Sequence, residues 1–324
     1  MRAYHARQHI LSNEFVSVPD LNPTSLESPA YLLNVPFSLN AGEANNVWME
    51  ELKPEERHVD RRKAVNQFLQ LYNFMAAESV VYLLPTPRLQ GLQDLVYTAN
   101  LGVVIDHLPD HNTVILSNFS SKVRIPETQV GKEFFEQMGY ETLISPFHFE
   151  GEAELKHLHG NVYLGGYGTR SDKRSYEWME EQFDMKIIPL KESDPYLYHL
   201  DCTVFPLTRE ETLVCTEMYT QEEVKEIEAV TNIIDITADD VYSGLCNSLR
   251  MGNIILNASD IHEMKRSNPY YENERQKNRI LEDIGAKYGF EVAFFNLSEF
   301  LKSGALLSCM VMHLNRRSYD LRLT

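Results

Sequence analysis

Short apolar segments of this chain come two to a helix, and no other feature constrains the fold as strongly. Stretches rich in Val, Ile, Leu, Tyr and Phe, bounded by Pro, Asn or Gly, read as strands at 31–39 (YLLNVPFSL), 80–85 (VVYLLP), 94–100 (DLVYTAN), 113–117 (TVILS), 161–166 (NVYLGG) and 186–190 (KIIPL). The series continues at 198–207 (YHLDCTVFPL), 212–215 (TLVC), 253–257 (NIILN), 291–296 (EVAFFN) and 306–314 (LLSCMVMHL). Helical patterns fall between them, near 56–78, 128–139, 172–184, 220–230 and 272–288. In the first, Val65, Phe68, Tyr72 and Met75 form one apolar stripe; the second ends in QMGY, where Gly139 suits a left-handed C-cap. Strand doublets between single helices exclude a plain alternating βαβα sheet, in which each parallel crossover carries a helix. No linker or low-complexity stretch divides the chain, so we expect one domain over residues 1–324.

With 324 residues, 43% of them hydrophobic and 24% charged, the chain has the composition of a soluble globular protein with a large core. No apolar run approaches the roughly 18–20 residues that span a membrane, and the first residues show no export signal, so a cytoplasmic protein without membrane partners is expected. A formal net charge of −17 has the wrong sign for a nucleic-acid binder and is compatible with a small cationic substrate. Cys202, Cys215, Cys246 and Cys309 form no C-x-x-C pair and read as reduced thiols, one of which can be a nucleophile. Neither H-E-x-x-H nor an EF-hand loop occurs, so no metal and no organic cofactor is expected.

YHLD places His199 and Asp201 two apart, which in a strand aims both side chains from one face. Alone, that pattern is better explained by a satisfied core histidine. Four further stretches change the weighing: LQDLVYTANLGVVI (92–105) with Asp94 and Asn100, FEGEAEL (149–155) with three carboxylates, GGYGTRSD (165–172) with Arg170, and FNLSEFLKSGALLSCMVMHL (295–314) with Cys309.

In this order the five stretches resemble the guanidino-group-modifying superfamily of arginine deiminases, dimethylarginine dimethylaminohydrolases, amidinotransferases and arginine dihydrolases. DLVYTAN is similar to D-x-V-F-T-A-N, FEGEAE to F-E-G-x-G-D, GYGTRSD to G-Y-G-x-R-T, DPYLYHLD to D-P-x-F-Y-H-L-D, and SEFLKSGALLSC to S-E-F-x-K-x-G-G-G-x-x-C. The likeness covers about residues 31–314. Departures are Ala153 and Glu154 for Gly and Asp, and the missing glycine run before Cys309. The resemblance implies an α/β fold, a five-bladed α/β propeller (pentein) of pseudo-fivefold ββαβ units with the site in its central channel.

It also implies chemistry. A guanidinium carbon is a poor electrophile, since its positive charge is spread over three nitrogens, and opening it takes a thiolate. Cys309 matches the nucleophile and forms a thiouronium intermediate. His199 matches the general acid that protonates the leaving ammonia and then activates water. Glu150 orients that histidine, with Glu152 as the alternative. Asp201 and Asp94 accept from guanidinium nitrogens, Arg170 and Arg124 are expected to hold a substrate carboxylate, and Asn40 is expected to line the pocket. Deiminases carry Asp where this chain has Asn100, whereas dihydrolases carry Asn. The expected reaction is therefore hydrolysis of arginine to ornithine with release of ammonia and carbon dioxide. Citrulline formation by a deiminase or dimethylarginine dimethylaminohydrolase, amidino transfer, and a non-catalytic binding homologue are the alternatives.

Overall fold

A strand whose successive residues are all apolar must bury both of its faces, because side chains alternate sides along it. The computed structural model, which describes residues 22–88 and 91–320, meets that demand with five small sheets. In the first, β1 (Ala30–Asn34) pairs in parallel with β2 (Val80–Leu84). The second holds β3 (Gly102–Ile105), β4 (Thr113–Leu116) and β5 (Glu141–Ile144). The third holds β6 (Leu155–His159), β7 (Val162–Tyr167) and β8 (Lys186–Lys191). The fourth is β9 (Val204–Pro206), β10 (Glu211–Val214) and β11 (Asn232–Asp235), and the fifth β12 (Leu249–Met251), β13 (Ile254–Ala258) and β14 (Glu291–Phe295). The last strand, β15 (Met312–His313), returns to the first sheet and pairs antiparallel with β1, setting Tyr31 against His313 and Leu32 against Met312.

Every sheet thus has one connectivity: a central strand with an antiparallel neighbour on one side and a parallel one on the other. A parallel neighbour requires a crossover, and a helix supplies it each time: α1 (Arg61–Glu78), α2 (Ile125–Gln137), α3 (Lys173–Phe183), α4 (Gln221–Glu228) and α5 (Tyr271–Tyr288). Local chemistry marks their ends. Asp60 accepts from Arg62 N and Lys63 N, Asp172 from Arg174 N, and Thr220 forms a capping box with Glu223. Gly139 takes φ 89° just after α2, as expected.

Successive strand residues enter different apolar clusters, and each cluster is shared by two sheets. Leu32 packs with Val104 and Val114, whereas Tyr31 and Leu33 pack with Leu249 and Leu256. Val103 and Ile115 meet Leu155 and Tyr163; Leu158 and Leu164 meet Val204 and Val214; Phe205 and Leu213 meet Ile255. Burying each Leu, Ile or Val contributes about 1.5–3 kcal/mol.

Three stretches expected as strands are largely turns. Thr98–Asn100, Leu200–Cys202 and Ser308–Met310 are single 3-10 turns, and pairing starts only at Gly102, Val204 and Met312. Their apolar residues are buried, which the sequence pattern registered, but burial in a turn and burial in a strand look alike in composition. His199 and Asp201 therefore share no strand face: His199 is extended, and Asp201 lies inside the turn. Gly151–Ala153 forms an equivalent turn before β6, and residues 246–248 hold that place before β12.

Candidate active site

The five turns are bonded to one another. Thr98 Oγ1 donates to Met310 O (2.8 Å), Ser308 Oγ to Asp201 Oδ2 (2.6 Å), and Asn247 Oδ1 accepts from Ser308 N (2.9 Å). Gly151 sits at φ 66°, a conformation that favours glycine; a Cβ there would run into Ala99 O and lie 2.8 Å from Asn100 C. The turn holding Glu150 consequently rests directly on the turn holding Asn100.

One side of this ring of turns opens into a small cavity lined by Asp94, Asn100, Arg124, Arg170, His199 and Cys309, together with Asn45, Asn46, Tyr97, Tyr198, Ser303 and Ala305. Cys309 is 5% exposed; its thiol donates to Asp201 Oδ2 at 3.3 Å and accepts from Asn247 Nδ2 at 3.5 Å. Burial pushes the thiol up to about 12, the Asp201 charge adds to the rise, and the Asn247 hydrogen bond opposes it. Without a ligand Cys309 is a protonated thiol at neutral pH.

His199 Nε2 donates to Glu150 Oε2 at 2.9 Å. Burial lowers the imidazole pKa, and Glu150 opposes the fall. The carboxylate is itself fully buried. Burial works against its ionisation, but the His199 hydrogen bond and the charge of Arg170, with Nη1 3.7 Å away, hold it well below the usual carboxylate range. Ser120 fixes its other oxygen through Oγ (2.8 Å) and the backbone N–H (3.2 Å). With Nε2–H committed to Glu150, a neutral His199 carries its free lone pair on Nδ1.

Glu152, the alternative carboxylate, faces away from this cavity. It accepts from His313 N (2.9 Å) and from His313 Nδ1 (3.1 Å), and it pairs with Arg316 Nη2. Glu150 is the glutamate that meets the histidine.

Asp94 Oδ2 accepts from Asn45 (2.6 Å) and Gln93 (3.3 Å), and burial raises its pKa. Asp94 Oδ1 and Asn100 Nδ2 are buried and find no hydrogen-bond partner among the described residues. An acceptor and a donor left open on one cavity wall suit a ligand that supplies both functions. Arg170 Nη2 donates to Asn45 O (2.5 Å), and its guanidinium lies 4.9 Å from the Tyr198 ring centre. Arg124 is buried, paired with Glu127 (2.8 Å) and stacked on Phe119, and it donates to Asp94 O (3.4 Å).

Asn40 is not in the cavity. It is exposed, and its side chain is taken up by Ser38 O and Gly42 N. Asn45 and Asn46 hold that wall instead; Asn46 caps the helix Val47–Glu51 and donates to Ser303 O (2.9 Å). Ser120 and Asn247 carry no motif, and only tertiary packing reveals them. Among the described residues no group of three or more His, Cys, Asp or Glu is arranged to hold a metal ion, and no helix is long and apolar enough to cross a membrane.

The chain is similar to the bifunctional arginine dihydrolase/ornithine cyclodeaminase AgrE of Nostoc sp., with 28% identity over 85% of this chain and 36% of the relative. It thus spans about a third of the length of that protein and of its Synechocystis sp. counterpart ArgZ. It is also 23% identical to the dimethylarginine dimethylaminohydrolase of Mycobacterium tuberculosis, over 94% of this chain and 93% of that one. Among solved structures, the N-terminal domain of ArgZ covalently bonded to a reaction intermediate superposes with a TM-score of 0.75 at 25% identity, covering 88% of this chain and 97% of that one. Unliganded AgrE also gives 0.75, at 27% identity over 88% of this chain and 39% of that one. The model of the eukaryotic N,N dimethylarginine dimethylhydrolase family matches residues 35–316, most of the sequence, and the chain belongs to that family.

Proposed function

We propose that this protein is a cysteine-dependent hydrolase of a guanidino substrate, converting arginine and two waters to ornithine, two ammonia molecules and carbon dioxide. The whole chain acts as one catalytic unit, its five sheets standing as blades about a single axis. The circular sharing of apolar clusters, which runs from the first sheet through the fifth and back, supports that arrangement.

One observation carries the chemical reading. The Cys309 thiol shares its cavity with a histidine held by a buried carboxylate and with the unpartnered Asp94 Oδ1 and Asn100 Nδ2. A guanidinium entering the cavity is held by Asp94, while Asp201 stays bonded to Ser308 and to the Cys309 thiol. Its positive charge replaces the missing counter-charge beside Cys309 and lowers the thiol pKa. Neutral His199 takes the thiol proton, and the thiolate forms a C–S bond to the guanidino carbon. The resulting imidazolium, stabilised by Glu150, returns that proton to the departing ammonia. His199 then removes a proton from water, which attacks the thiouronium carbon, and the C–S bond breaks to leave a ureido group. A second round on that group gives ornithine, ammonia and carbon dioxide. Arg124 and Arg170 stand on the same wall and take the substrate carboxylate.

A single hydrolysis to citrulline is the second reading, favoured by the family match and by the name of the mycobacterial relative. The test is mass spectrometry of the products from arginine, with Cys309→Ala as control. Ornithine without persistent citrulline is expected; citrulline alone replaces the first reading with the second, and no turnover of arginine or a methylated arginine overturns both.

A further inference from the structure

The ring of turns has a second side. Opposite the catalytic cavity lies another small one, whose walls include Ala99, Glu152 and Ser308, sequence neighbours of Asn100, Glu150 and Cys309. Nothing in the chemistry above uses it.

Its polar lining is cationic. Arg316 and Lys156 face a single carboxylate, Glu152. That carboxylate is already neutralised: Arg316 Nη2 pairs with it, and His313 donates to it through its backbone N–H and Nδ1. Arg316 and His313 hold Glu152 ionised at a pKa of about 2 although it is buried. Lys156 Nζ has no hydrogen bond or ion pair among the described residues, and neither do Arg316 Nε and Nη1. His313 is 8% exposed, and its Nε2 is buried without a partner. His157 is fully bonded, through Nε2 to Gly160 O (2.8 Å) and through Nδ1 to Arg209 (3.3 Å), and adds no charge. A cavity with an uncompensated cation and spare guanidinium donors is unexpected in a chain of net charge −17. Water alone would leave the excess charge unanswered, whereas an oxyanion satisfies several N–H donors at once through charge-assisted hydrogen bonds.

We propose that this second cavity is a binding site for a small oxyanion, held by Lys156 and Arg316. Phe205 and Leu249 add apolar wall beside the cations, which favours an organic carboxylate over an inorganic anion. An occupant would touch Ser308 and Glu152, on the turns that carry Cys309 and Glu150, so binding is expected to register in turnover. The site does not depend on which guanidine the protein hydrolyses.

The test is calorimetric titration of the full chain with sodium phosphate and, separately, sodium butyrate, against sodium chloride at matched ionic strength. Saturable binding of one anion, weakened at least about tenfold by Lys156→Gln, is expected; a tenfold loss corresponds to about 1.4 kcal/mol. Tighter binding of butyrate identifies an organic carboxylate, and tighter binding of phosphate an inorganic oxyanion. Absence of saturable binding by either anion, or equal binding by the variant, overturns the proposal. Lys156 is half-buried and unpaired, so its replacement leaves the fold intact.

Discussion

Replacing Asn100 by Asp tests the reaction's second half. The Asn100 amide lines the same cavity as Cys309, with Nδ2 buried and unpartnered among the described residues, a donor open to a ligand. A guanidinium offers only N–H donors, so a carboxylate at position 100 holds it at least as well as the amide. A ureido group presents a carbonyl oxygen, which the amide N–H can bond and a carboxylate oxygen repels. Losing that bond costs about 1–3 kcal/mol, equivalent to roughly 5- to 150-fold weaker retention of the ureido group. Asn100→Asp is therefore expected to keep the first hydrolysis and to release citrulline, shifting the citrulline-to-ornithine ratio by that factor. The assay is time-resolved quantification of both products from isotopically labelled arginine. An unchanged ratio, with first-step turnover intact, would show that the amide plays no part in holding the ureido group.

Two further perturbations follow from the same geometry. Burial and the Asp201 charge raise the Cys309 pKa to about 12, so the free protein carries it almost wholly as the thiol at pH 7. Alkylation by iodoacetamide in the free protein should be slow and rise about tenfold per pH unit up to that pKa, and a simple alkylguanidine should accelerate it; rapid, pH-independent alkylation without a guanidine contradicts the substrate-assisted thiolate. Gly151→Ala must adopt a left-handed backbone and press a methyl into Ala99 O, so about 2–5 kcal/mol of stability should be lost from strain and overpacking. Urea denaturation reads this directly, and a wild-type midpoint would mean that the two turns separate without penalty.

Much of the architecture was legible locally. The five long helices, the Gly139 cap and the central strands β4, β7, β10 and β13 arise from short-range chemistry and lie within a few residues of the expected spans, whereas β1 stops at Asn34 and not at 39. Edge strands such as β5 and β11 were silent, because their half-exposed residues lack a continuous apolar run. The site segments were found by their residues, but their backbone was misread: 94–100, 198–207 and 306–314 are apolar because they are buried in turns, not because they pair throughout.

What the sequence determined by itself was the reactive inventory, a thiol, an imidazole, carboxylates and an amide within order-preserving motifs, together with the strand-doublet rhythm. Tertiary structure alone decided which of them meet. It set Glu150 and not Glu152 against His199, put Asn45 and Asn46 on the wall in place of Asn40, and brought Ser120 to Glu150 and Asn247 to Cys309. Adjacent residues in a tight turn face opposite sides of the ring of turns, so a shift of one or two positions separates the cavity of Cys309 and His199 from the cationic one behind it. That facing depends on long-range pairing, of which the return of β15 to β1 across some 280 residues is the extreme case, and local residue preferences carry no record of it.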